Sequence, residues 1–321
     1  MTLIIWSQQP GITLVKALSC SNLSILYFQS MLVETEGKHY PNSNGNHTMN
    51  MLNLGNRIRL LLIVTLFLGT LTLTSLGAIM NTANPQVNKP TIVLVHGAFA
   101  ESSSWNGVLA RLITKGYPTV AVANPLRGVK SDADYVASVL KGIEGSIVLV
   151  GHSYGGAVIS NAVNDNSNVK ALVYVAGFAP DAGETAIELS GRYPGSTLGP
   201  TLAPPVELPD GGKVLYIQQD KFHAQFAADV PANDAQLMAS TQRPITEAAL
   251  NEASGVPAWK STPSWFIYGD RDLNIPPAAL SFMANRANSK ETVVVNGASH
   301  VVMVSHSDAV ANLIDRAATA L

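Results

Sequence analysis

The sequence predicts an α/β protein built on one mostly parallel sheet of about six strands, with helices on both faces. Three observations predict it. Short apolar, β-branched runs alternate along the chain with stretches of helical periodicity, the pattern of parallel strands joined by crossover helices. One run, Ile147-Val-Leu-Val150, is apolar at every position, as in a strand buried on both faces. That run leads through Gly151-His-Ser-Tyr-Gly155 into an unbroken helical stretch, Ala157 to Ala162, making a sharp strand-to-helix turn with a serine at its apex.

The elements follow in chain order. Residues 81–90 read as a polar linker. Thr91-Ile-Val-Leu-Val95 is the first strand and ends in His96-Gly-Ala-Phe99. Ser102 to Ile113 opens with N-cap residues and sets Trp105, Val108, Leu109 and Leu112 on one helical face. Thr119–Val122 is the next strand. Ser131 to Leu140 is a helix that Ser131 would cap, with acids in its first turn. After the serine turn comes the strand Ala171–Val175. From Ala179 to Lys260 the alternation breaks into a proline-punctuated region, with short helices expected at 221–227, 233–240 and 246–253. Loops of this length in a compact domain are usually lids or binding elements. The sheet resumes with Ser264–Tyr268, which leads to Gly269-Asp-Arg-Asp272 and a helix opening at Ile275-Pro-Pro277. Thr292–Val295 is the last strand, leading to Asn296-Gly-Ala-Ser-His300, and Ala309 to Leu321 closes the chain as an amphipathic helix.

Bulk composition narrows the function classes. At 321 residues, 47% hydrophobic and 13% charged, the chain suits a large buried core. A net charge of −2 gives no basic footprint for nucleic acid. Cys20 is the only cysteine, which excludes intramolecular disulfides and cysteine-based metal sites. The histidines lack the convergent spacing of a metal site.

The first ninety or so residues read differently. Met1 to Asn50 has no sustained period and is taken as a non-native or disordered extension. Arg57 and Arg59, the apolar run Leu60 to Gly69 and the small residues Ser75-Leu-Gly-Ala78 make the three-part layout of a secretory signal over 51–80. A working start at Met49 or Met51 and a secreted or periplasmic product are therefore expected. The alternative is an uncleaved membrane anchor, because Leu60 to Met80 is long enough to span a bilayer.

A serine hydroxyl is a weak nucleophile until a base takes its proton, and the base needs an acid to hold its tautomer. Ser153 is the candidate nucleophile. The amide of Tyr154, the first of the new helix, points at the space beside it, where an oxyanion would be stabilised. Asp270 and Asp272 compete as the acid, and His300 and His306 as the base. His300 lies in a strand-end loop, whereas His306 opens toward the last helix. His152 is expected to point away beneath the serine, and His223 is a weaker candidate for substrate contact.

Gly151-His-Ser-Tyr-Gly-Gly156, with His96-Gly-Ala-Phe99 upstream, resembles the α/β-hydrolase superfamily, and within it the small cofactor-free esterases near the plant methylesterase and hydroxynitrile lyase group. The resemblance runs from about Pro90 to Leu321. It implies a trimmed α/β-hydrolase fold whose insertion at 179–260 is a cap over the site. It implies the order nucleophile, acid, base, hence Ser153, Asp272 and His300, since its Gly-x-x-Asp then x-x-Pro pattern maps, with one residue of slack, onto Gly269, Asp272 and Pro276. It takes the second oxyanion donor from the residue after His-Gly, here Ala98. Phe99, Tyr154, Trp105, Phe222 and Phe226 would wall an apolar pocket for a small-molecule ester, and no cofactor would be needed. In the lyase branch a lysine follows the catalytic histidine and the His-Gly pair is missing. Here Val301 follows His300 and His96-Gly97 is intact, so hydrolysis is expected over cyanohydrin cleavage. Perhydrolysis, cofactor-free halogenation and a receptor with vestigial turnover are the other chemistries the resemblance allows.

Overall fold

The computed structural model describes residues 3–9, 12–18, 89–163 and 166–321. In the first two stretches, Leu3–Gln9 and Ile12–Leu18 pair antiparallel, with Leu3 opposite Leu18 and Gln9 opposite Ile12. The segment 51–80 and nearly all of the linker lie outside the described residues. Among the described residues no helix is long and apolar enough to cross a membrane.

From residue 89 the chain builds one parallel sheet of six strands. They are β1 (Thr91–Val95), β2 (Thr119–Val122), β3 (Ile147–His152), β4 (Val169–Val175), β8 (Ser264–Gly269) and β9 (Thr292–Val295). Across the sheet they run β9-β8-β4-β3-β1-β2, so the chain steps outward from β1 to β2, then reverses past β1 to β3. That reversal opens a crevice between the carboxyl ends of β1 and β3, where open α/β sheets bind ligands. Burial follows position. All of β3 and β8 is buried, as the fully apolar runs require, while the edge strands β2 and β9 are only partly covered.

The helices between strands are α1 (Asn106–Thr114), α2 (Val129–Lys141), α3 (Tyr154–Ala162), α9 (Pro277–Arg286), α10 (Val302–Ser305) and α11 (Ser307–Thr319). Trp105, Val108 and Leu112 are fully buried, but Ser102–Trp105 winds as a 3-10 turn before α1 begins. Ser131 is not the cap of α2. The helix starts three residues earlier from Gly128, Ser131 donates to the Gly128 carbonyl, and Asp132 turns into the interior.

Between β4 and β8 lies the inserted region. It holds α4 (Ala186–Gly191), α5 (Leu198–Thr201), β5 (Val206–Glu207), β6 (Lys213–Leu215), α6 (Gln219–Phe226), α7 (Ala232–Thr241), β7 (Ile245–Thr246) and α8 (Glu247–Asn251). The three expected helices are α6, α7 and α8. The antiparallel sheet β5-β6-β7 was not expected, because strands of two or three residues carry no readable alternation.

Candidate active site

Ser153 sits between β3 and α3 with φ 52° and ψ −124°, a left-handed conformation that costs a non-glycine residue on the order of 1–3 kcal/mol. The surroundings impose it. The Ser153 amide donates to the Val175 carbonyl (3.2 Å), and its own carbonyl accepts from the Gly156 and Phe178 amides (2.9 and 3.0 Å). At Gly155 a Cβ would come within 2.5 Å of the Val95 carbonyl oxygen, so only glycine lets α3 lie this close to β1. At Gly97 a Cβ would meet the Ser153 Cβ at 2.6 Å and the His152 carbonyl at 2.7 Å. The loop after β1 therefore rests on the serine turn, which brings Ala98 and Phe99 to the same cavity as Ser153 and Tyr154.

His96 is what holds that loop. The Asn124 amide donates to its Nε2 (3.0 Å), so the proton is on Nδ1, which donates to the Gly97 carbonyl (2.9 Å). The Asn124 carboxamide closes the ring by donating to the His96 carbonyl (2.9 Å). Burial holds the His96 imidazole down to about 4, hence neutral.

Three side chains from distant strand ends meet over β3. His300, in the loop after β9, has Nε2 2.9 Å from Ser153 Oγ and Nδ1 2.7 Å from Asp272 Oδ2. The other oxygen of Asp272 accepts from the Asn274 and Ile275 amides (2.8 and 2.9 Å), which fixes the carboxylate. Asp270 faces elsewhere and accepts from the Gly297 amide (2.7 Å), shaping the turn that leads to His300. His306 pairs with Ser305 and lies 3.4 Å from Asp229, away from the serine. His223 bonds the Val230 carbonyl inside the inserted region (2.9 Å). His152 lies beneath the site. Its Nε2 is 3.2 Å from the His300 carbonyl and its ring centre 4.8 Å from the His300 ring. Burial, then the neighbouring His300, push the His152 imidazole well below its ordinary range, so it too is neutral.

Above Ser153 opens a cavity of about 840 Å³, lined by Ala98, Phe99, Tyr154, Phe178 and, from the inserted region, residues such as Leu198 and Leu250. Among the described residues no Lys, Arg or His lines it, and Glu247 is its one carboxylate. Of the five residues expected to wall a pocket, Phe99 and Tyr154 do so. Trp105, Phe222 and Phe226 are fully buried and belong to the packing behind the histidines, not to the cavity. Phe226 lies 5.1 Å from the His300 ring and 4.9 Å from Phe222, while Trp105 meets the edge of His152 at 6.3 Å. α6 turns its aromatic face toward His300 rather than into the cavity, and Trp105 packs against His152.

A model of the alpha/beta hydrolase family matches residues 92–313, the span that carries this sheet and all three side chains. The chain belongs to the alpha/beta hydrolase family. Among its relatives is an alpha/beta hydrolase, nvfD, of Aspergillus novofumigatus, 26% identical over 72% of this chain and 97% of that one. The alpha-hydroxynitrile lyase of Arabidopsis thaliana is 23% identical over 68% of this chain and 92% of the lyase. Polyneuridine aldehyde esterase shares the fold with a TM-score of 0.63 at 16% identity, covering 71% of this chain and 98% of the esterase. The Arabidopsis methylesterase MES16 does so with a TM-score of 0.59 at 18% identity, over 72% and 100% of the two chains.

In this alpha/beta hydrolase the inserted region is tied to both loops that carry Asp272 and His300. Gln225, near the end of α6, donates from Nε2 to the Leu273 carbonyl (2.9 Å) and to Asn274 Oδ1 (2.7 Å). Ser299, the neighbour of His300, donates to the Asp229 carboxylate and to the Phe226 carbonyl (3.3 Å). Gln225, Asp229 and Asn274 were not picked out from the sequence, where nothing sets them apart from surface amides and acids. The hydrolase also buries a second carboxyl. Asp132 accepts from the Tyr154 hydroxyl (2.9 Å) and the Arg127 amide (3.1 Å), which fixes the side chain of the residue after the nucleophile. Burial pushes the Asp132 carboxyl above its ordinary range and, with Asp132 alongside, pushes the Tyr154 phenol up as well.

Proposed function

We propose that the protein is a serine hydrolase that cleaves neutral carboxylic esters through an acyl-enzyme. The observation that carries this is the pair of contacts at His300, 2.9 Å to Ser153 Oγ and 2.7 Å to Asp272, at the floor of an apolar cavity. Ser153 Oγ attacks the ester carbonyl carbon while its proton passes to His300 Nε2, and Asp272 holds the Nδ1 proton and stabilises the imidazolium. The oxyanion takes hydrogen bonds from the amides of Ala98 and Tyr154. The neighbouring Phe99 amide is already bonded to the Arg243 carbonyl (2.9 Å), which leaves Ala98 as the donor of that loop. The carbon–oxygen bond to the alcohol breaks as His300 returns its proton to the leaving oxygen. Water then attacks the acyl-enzyme with His300 as base, and collapse releases the acid and restores the serine. A cavity with no basic lining residue suits a substrate without an anionic group. Val301 follows His300 and is fully buried, so no cationic side chain occupies the position after the base, which supports hydrolysis over cyanohydrin cleavage.

The test is labelling by a fluorophosphonate probe together with turnover of nitrophenyl esters. Both are expected in the wild type and lost in Ser153→Ala. Labelling without multiple turnover would instead indicate a receptor that retains the site. Export through 51–80 is part of the same proposal, and N-terminal sequencing of the mature protein checks it: a start at Met1 would overturn it.

A further inference from the structure

One polar group in the cavity has no part in the acyl transfer just described: the carboxamide of Asn274, which lines the cavity and is only 4% exposed. Which of its two ends is free follows from its neighbours. Gln225 Nε2 lies 2.9 Å from the Leu273 carbonyl, an acceptor only, so that end of Gln225 must be the amino group. The Asn274 atom 2.7 Å from the same nitrogen must then be an acceptor, Oδ1. Nδ2 is the end left over, and among the described residues it has no hydrogen-bond partner. The rest of Asn274 is pinned. Its amide donates to Asp272, and its carbonyl accepts from the Ser190 and Ser196 hydroxyls (3.0 and 2.9 Å).

We infer that Asn274 Nδ2 is a specificity determinant that donates to a second acceptor oxygen of the substrate, a ketone, lactone or ether oxygen separate from the ester being cleaved. The inference rests on the hydrolase reading and deepens it. A donor fixed on three sides has little freedom to lose on binding, so its hydrogen bond comes at small entropic cost. A ligand that fills the cavity with hydrocarbon alone strips this donor of water and gives nothing back, and sites built to bond an oxygen reject analogues that lack it. The lining holds no basic side chain to compete for the role.

The experiment compares nitrophenyl hexanoate with oxohexanoates whose ketone lies at least two bonds beyond the ester, so that the ester's own reactivity changes little. A matching series carries the ketone on the alcohol part. In the wild type at least one oxo ester is expected to exceed its hydrocarbon parent in kcat/KM by about tenfold. Asn274→Ala and Asn274→Asp are expected to bring that ratio to about one. The aspartate keeps the shape and the acceptor that Gln225 needs, and because its added charge near Asp272 acts on both esters alike, the ratio within the variant separates hydrogen bonding from packing. A wild-type ratio of one at every ketone position overturns the inference, as does a preference that survives in both variants. Fluorophosphonate labelling of the wild type distinguishes the two failures. Labelled protein without the selectivity change sinks only the role of Asn274, whereas unlabelled protein sinks the hydrolase reading itself.

Discussion

The floor of the cavity and the region that covers it are held by different kinds of force. On the floor, backbone does the positioning. The serine turn and the strand ends are set by peptide hydrogen bonds and by approaches so close that a methyl group would not fit at Gly97 or Gly155, and the loop after β1 adds the short-range bonds of the His96 and Asn124 side chains to backbone. In the covering region, long side chains do it, chiefly Gln225 and Asp229 reaching to the loops of Asp272 and His300, and Gln242 holding both the amide and the carbonyl of Ile217 (2.9 Å each). A floor built from backbone geometry can keep one chemistry through many changes of side chain. A cover built from side chains can be re-cut for a new substrate by a few substitutions.

The largest expected effect is on the floor. Ser153→Ala should lower ester turnover by a factor on the order of 10⁴–10⁶, and Asp272→Asn by about 10⁴ through the wrong imidazole tautomer. Both should melt within a few degrees of the wild type, measured alongside the nitrophenyl ester assay. If Asp270→Asn lost as much activity as Asp272→Asn, the assignment of the acid would be wrong.

Next comes Gly97→Ala, which adds no charge and removes no functional group. Its methyl would lie 2.6 Å from the Ser153 Cβ, so the loop or the serine turn must move. Displacements of about an ångström at a reacting centre can cost about a hundredfold in rate, and overpacking costs about 1–3 kcal/mol of stability. An alanine scan across 198–205, in the cover, should by contrast shift substrate preference more than overall rate. Equal effects on both sides would erase the distinction between floor and cover.

The third prediction uses pH. His96 is held near 4 by burial, below its unfolded value, so the unfolded chain binds the extra proton first as pH falls. Stability is therefore full above about pH 6.5 and declines as pH drops toward 4, by about 3 kcal/mol for this residue. His152 is shifted the same way by burial and adds to the decline. Urea unfolding at several pH values checks the slope. His96→Asn should flatten it, and an unchanged slope would mean that the imidazole is not the cause.

The same division explains what the sequence made legible. Strands such as Ile147–Val150 and Thr91–Val95 were readable because burial on both faces forces every position to be apolar. Ser153, Asp272 and His300 stood out because each closely follows a short β-branched or aromatic run, although the run before His300 is a half-exposed edge strand. Phe222 and Phe226 were misplaced because spacing puts both on the buried face of α6 but does not say whether that face meets the cavity or the packing behind His300. Ser131 was misread as a cap because its serine signal outweighed the pull of Asp132 into the interior, where Tyr154 and the Arg127 amide bind it. Asn274 could not be found at all, since its interest lies in which way one carboxamide points.

The smallest effect is also the most informative about the cover. Gln225→Ala removes the two bonds to the acid loop and one from the Thr197 hydroxyl (2.7 Å). Gln225 is buried, so the deletion leaves the Leu273 carbonyl and Asn274 Oδ1 short of a donor, at a cost of about 1–3 kcal/mol. For a domain of this size that is a fall in Tm of several degrees. Because Asp272 is also held by the amides of its own loop, turnover should fall less than tenfold. Limited proteolysis should meanwhile cut within 186–226 faster than in the wild type. A large loss of turnover with unchanged proteolysis would mean that Gln225 serves the acid directly, and that floor and cover are one unit.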